Sequence, residues 1–92
     1  QIGKYGRMRR SYLKEYRKIL YNNYVLEGTL SKHLAEIDQA CNERMKNVVS
    51  AMAKQEDVTE ALKAADQMEW VRRMNSIRNR AEEIILTEIV YA

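Results

Sequence analysis

Ninety-two residues suffice for one helical domain with a modest core and leave no room for a deep catalytic cleft beside a second domain. With no Pro, three Gly, 46% hydrophobic and 32% charged residues, and no sustained apolar–polar alternation, the chain reads as all-α and excludes a β-sheet protein. Its net charge of +3 hides an asymmetry: residues 1–18 carry seven Lys/Arg against Glu15, a net +6, while the remainder carries nine basic and twelve acidic groups, a net −3.

That basic arm calls for an anionic partner, or for docking onto its own acidic body. The single Cys41 rules out a disulfide within the chain and fits a reducing cytoplasm. No apolar run approaches the roughly 20 residues needed to span a bilayer, so no membrane partner is expected. The opening residues QIGKYGRMRR lack the apolar centre of a signal peptide.

The first predicted helix spans about residues 6–27. Gly28 stops it by taking the left-handed conformation that follows a helix end. Tyr5, Met8, Tyr12, Tyr16, Ile19 and Leu20 share one face, and Arg7, Arg10, Lys14, Lys18 and Tyr21 share the opposite one. Arg9 and Asn23 interrupt the apolar side. An unpaired guanidinium there is costly, so Arg9 is expected to reach Asp66 or Glu69, or to snorkel past the Tyr rings.

The second helix spans about 31–54, after a cap from Thr29 or Ser31. Its apolar stripe is Leu30, Leu34, Ile37, Cys41, Met45, Val48 and Met52. The third helical region spans about 58–91. Asp57–Glu60 and Asp66–Glu69 both resemble capping boxes, which places a kink or split near residues 65–66. Trp70, Met74, Ile77, Ala81 and Ile84 form the strongest apolar seam of the chain. The architecture predicted from these patterns is an antiparallel three-helix bundle with long helices.

Near the end the pattern changes. In a regular helix Leu86 and Val90 point away from the seam, and Glu88 falls on its centre, where His33 is the available donor. Ile85, Leu86, Ile89 and Val90 are therefore the expected contact surface of a homodimer.

Chemistry is sparse. One His excludes a His-based metal cluster, and His33 lies about 12 Å along its helix from Cys41, too far for a nucleophile–base pair. Cys41 reads as a small buried hydrophobe, and the Met stripe Met45, Met52, Met68 and Met74 as core filler. There is no Gly-rich phosphate loop. No catalytic residue, metal ligand or cofactor is assigned, and the chain is read as non-enzymatic. Arg7, Arg10, Lys14, Arg17 and Lys18, with Tyr21 beside them, are the candidate nucleic-acid contacts: cations for phosphates, aromatic rings for unpaired bases. Arg72, Arg73, Arg78 and Arg80 spread around their helix and read as solvating and ion-pairing groups.

The strings GKYGRMRRSYLKEYRKILYNN, LAEID and VTEALKAADQMEWVRRMNSIRNRAEEIIL resemble the TnpV family of transposon-encoded proteins over nearly the whole chain. The resemblance implies residence on mobile elements, notably integrative and conjugative elements of Firmicutes, and a further N-terminal segment before Gln1. It brings no catalytic or binding motif onto these residues. The expected function is a transposon-encoded accessory protein that binds nucleic acid through its basic N-terminal helix. The alternative is a small protein-binding regulator, such as an anti-CRISPR-type inhibitor of a host nuclease.

Overall fold

The computed structural model describes residues 2–92. The chain is all-α. Its elements are α1 (Lys4–Tyr16), α2 (Lys18–Glu27), α3 (Leu30–Gln55), α4 (Glu60–Ala65) and α5 (Gln67–Ile85), followed by a π-helical turn over Leu86–Val90. The 26 residues of α3 make it the axis, about 39 Å long at 1.5 Å per residue. α1 lies along the first half of α3 and α5 along the second, in an elongated body of 55 × 21 × 18 Å. α1 packs directly on the π turn and meets α5 only through side chains, where Lys4 and Tyr5 both donate to Glu82.

The core falls into two overlapping parts. Tyr5, Cys41, Ala81, Ile85 and Val90 pack together where α1, α3 and the π turn meet. Val58, Met74 and Ile77 pack against Leu62 and Trp70 at the other end. Val49 and Met52 of α3 touch both parts and join them. Leu13, Ile77, Ile85 and Val90 are fully buried, each stabilising the fold by about 1.5–3 kcal/mol over an exposed position.

Local signals set several element ends. Gly28 takes φ 72°, the left-handed conformation that closes α2. Asp66 splits α4 from α5 and accepts from Glu69 N at 3.1 Å, capping the free amides of α5. The cap of α4 is Thr59, which accepts from Leu62 N at 3.2 Å, rather than the expected Asp57. Asp57 sits instead in the turn after α3 with φ 58°, a conformation that Asp tolerates better than most residues. Thr29 occupies the position before α3, but among the described residues its buried hydroxyl has no partner.

The first helix departs most from expectation. It begins at Lys4 and breaks at Arg17, whose backbone turns out to φ −135°, ψ 57°. Leu13 is the last fully buried residue before the break, and α2 buries none. The bend brings α2 over the start of α3, where Tyr24 stacks on His33 with ring centroids 4.4 Å apart. Tyr16 and Ile19, assigned by pattern to the inner face, are 72% and 81% exposed.

α1 has no cap of its own at Gly3; α3 supplies one. Asp38 accepts from Gly3 N at 2.5 Å and from Gly6 N at 2.9 Å. A carboxylate there satisfies free amides and complements the positive end of the helix. Gly6 is required for this approach, because a Cβ would sit 2.5 Å from Asp38 Oδ2 and 3.0 Å from the Leu34 carbonyl oxygen.

Candidate nucleic-acid interface

Among the described residues Lys4, Arg44, Arg72, Arg73 and Arg80 are paired with carboxylates, and Lys32, Lys46, Lys54, Lys63 and Arg78 of the body are not. On the body, Arg80 forms a forked pair with Glu56 at 2.7 and 2.9 Å. Arg72 and Arg73 share Glu69 at 2.5 and 2.6 Å, and Arg44 pairs with Glu88 at 3.2 Å. The hydrogen bonds from Arg80, with its charge, hold the Glu56 carboxyl below its usual range. On the arm, Arg7, Arg10, Lys14, Arg17 and Lys18 have no carboxylate within 4.0 Å among the described residues.

Lys14 sits 5.7 Å above the Tyr21 ring, which ties the end of α1 to α2. Arg10 is half-buried beside Ile2, Leu30 and Leu34. Arg7 donates to the Ile2 carbonyl at 3.1 Å and borders an open groove. Lys4, Met8, Tyr12, Glu15, Tyr16 and Tyr91 also line that groove. Tyr12 sits at the centre of an aromatic row, 5.7 Å from Tyr16 and 5.3 Å from Tyr91. Helical spacing puts Tyr12 and Tyr16 on the inner face of the first helix, and nothing local in the sequence marks Tyr91.

Arg9 is buried, but neither Asp66 nor Glu69 meets it. Its Nη1 donates to the Val90 carbonyl at 2.9 Å and the Ala92 carbonyl at 2.8 Å. Its Nε donates to His33 Nε2 at 3.2 Å, and the guanidinium lies 5.6 Å from the Tyr12 ring centroid. One side chain therefore joins α1, α3, the π turn and the floor of the groove.

Accepting from Arg9 requires an unprotonated Nε2. Burial, then the Arg9 charge, lower the His33 pKa from 6.5, against an opposing pull from Glu36. Between that lowered value and 6.5 the unfolded chain holds more proton than the folded one. Stability therefore falls as pH drops through this window and is flat above it with respect to this group. Melts between about pH 8 and pH 5.5 should show the decline, and His33→Gln should remove most of it. An unchanged pH profile in that variant would show that the decline comes from other groups.

The expected homodimer surface lies inside the chain. Ile85 and Val90 are 0% exposed, and Leu86 and Ile89 are half-buried against the core. The cause is the π turn, in which Tyr91 N bonds to the Leu86 carbonyl at 2.8 Å, five residues back. The longer repeat re-phases the end of the helix, so Val90 turns inward. Glu88 turns outward to Arg44 rather than to His33, and Ile84 is 40% exposed while Ile85 takes the core position.

Burial pushes the Cys41 thiol up to about 11, which leaves it protonated and unreactive. Burial, with the Glu82 carboxylate beside it, takes the Tyr5 phenol up to about 12. Among the described residues no three of His, Cys, Asp or Glu converge on a metal-sized site. No helix of the described residues is long and apolar enough to cross a membrane.

The family model for the transposon-encoded protein TnpV matches residues 1–90. The chain belongs to the TnpV family. The match takes in α1 through the π turn, so the basic arm and the tyrosine groove, apart from Tyr91, both fall within the family's extent. No curated protein and no solved structure matches the chain.

Proposed function

We propose that this TnpV-family chain is a non-enzymatic accessory protein of a mobile element, acting in the cytoplasm by binding nucleic acid through α1 and the start of α2. The observation that carries the reading is the density of unpaired cations on the arm, where five lie between residues 7 and 18, whereas the unpaired Lys32, Lys46, Lys54, Lys63 and Arg78 are scattered over the body. Arg44, Arg72, Arg73 and Arg80 are committed to carboxylates on the body, while Arg7, Arg10, Lys14, Arg17 and Lys18 have none within 4.0 Å among the described residues. A dense run of uncompensated cations, with Arg7 bordering the groove of tyrosine rings, suits a phosphate backbone with bases in reach. The same reading takes α1–α2, α3 and α4–α5 as three antiparallel rods. The pairings of Gly6 with Asp38, Arg9 with His33, Arg44 with Glu88 and Glu56 with Arg80 support it, since they run in opposing chain directions.

One observation favours the alternative of a protein-binding regulator. Ile19, Val25 and Leu26 of α2 are 81%, 49% and 84% exposed, an apolar face of the kind that marks protein contacts. A pull-down from host lysate with and without nuclease treatment separates the two. Recovery of nucleic acid that nuclease removes is the expected outcome. A protein partner that survives nuclease, with no nucleic acid recovered, would overturn the reading and favour the regulator.

A further inference from the structure

We infer that the groove beside α1 is a seat for an unpaired nucleobase, so that the nucleic acid this chain takes is single-stranded. The inference rests on the nucleic-acid reading above and goes on to name the strand state.

The groove combines an aromatic row with a cationic rim. Tyr16 and Tyr91 are 72% and 45% exposed, and both rings lean on Tyr12. Tyr12 is itself held by the Arg9 guanidinium 5.6 Å from its centroid. Arg9 in turn is fixed by the Val90 and Ala92 carbonyls. The rings are thus preorganised at the surface, where a stacking platform loses little entropy on binding. Arg7 borders the same groove with no carboxylate within 4.0 Å among the described residues, placing a cation where a phosphate next to a stacked base would lie. Lys4 stands on the same side, paired with Glu82. Glu15 also lines the groove and repels phosphate, so the strand's backbone belongs on the Lys4–Arg7 side.

A duplex cannot use this arrangement. Its bases already stack on each other, and a side chain reaches only their edges in the grooves. A single strand offers free π-faces, which aromatic side chains accept with little regard to sequence.

The test uses a labelled single strand of about 12 nucleotides and a blunt duplex of equal length, followed by fluorescence anisotropy at low salt. The parent chain should prefer the single strand by at least about tenfold. Tyr16→Ala should weaken single-strand binding by about tenfold, leave duplex binding and the salt dependence unchanged, and be restored by Tyr16→Trp. Because Tyr16 is 72% exposed, the variant should keep its helix content by circular dichroism. Equal or tighter binding of the duplex overturns the base seat, as does a Tyr16→Ala/Tyr91→Ala chain that binds the single strand like the parent. Both of those outcomes leave nucleic-acid binding by the basic arm standing. A parent chain that binds neither form at low salt overturns that reading and the seat together.

Discussion

Replacing Arg9 with alanine is expected to lower stability by about 3 kcal/mol, and replacing Arg10 by less than about 0.5 kcal/mol. The two residues are neighbours in sequence with the same charge, so the contrast isolates placement. Arg9 is 7% exposed and donates to two main-chain carbonyls and one imidazole. Those carbonyls close the last helical turn, where partial negative charge accumulates and a cation is favourable. Without the guanidinium the Val90 carbonyl stays buried with no donor, and leaving such a group orphaned costs about 1–3 kcal/mol. The lost packing on Tyr12 adds to this. For a domain of this size the loss corresponds to a fall in melting temperature of roughly 12–24 °C. Arg9→Lys should recover only part of it, since one ammonium does not reproduce the fork that meets carbonyls and His33 together. Melting temperatures that coincide for Arg9→Ala and Arg10→Ala would contradict this placement.

Arg9 also marks where sequence reading succeeds and where it stops. That it lies on the apolar side follows from its spacing with Tyr5 and Tyr12, a local property. Its partners sit 81 and 83 residues away and depend on a turn that local spacing does not announce. The π turn has the same effect on the proposed dimer surface. Projection at 100° per residue holds for Met74, Ile77 and Ala81, all buried as expected, and fails once the bond pattern lengthens after Ile85. The break at Arg17 carries neither Pro nor Gly, so nothing in the local string foretells it. Gly28 and Asp66 were legible because a left-handed glycine and a capping acid act through their own backbone neighbourhood. Asp38 was not, because the amides it caps belong to another helix. Of the candidate site, the run of cations was readable from charge and spacing. The tyrosine groove was not, because Tyr91 joins Tyr12 only through the π turn.

If the uncompensated cations of α1 and α2 hold phosphates, binding must weaken steeply as salt rises. Each phosphate neutralised on a single strand releases counterions and steepens the fall of log affinity with log salt by about 0.7. Five cations, Arg7, Arg10, Lys14, Arg17 and Lys18, therefore predict a slope near −3.5. Changing Arg10, Lys14 and Arg17 together to Gln removes three charges and should flatten that slope by about 2, with helix content intact. At low salt the affinity itself should fall by about 100-fold or more. The decisive measurement is the affinity of the parent and the triple variant for one labelled single strand between about 50 and 200 mM salt. The parent should give a steep line and the variant a shallow, weaker one. Tight binding that ignores both the salt and the three substitutions would contradict phosphate binding by these cations.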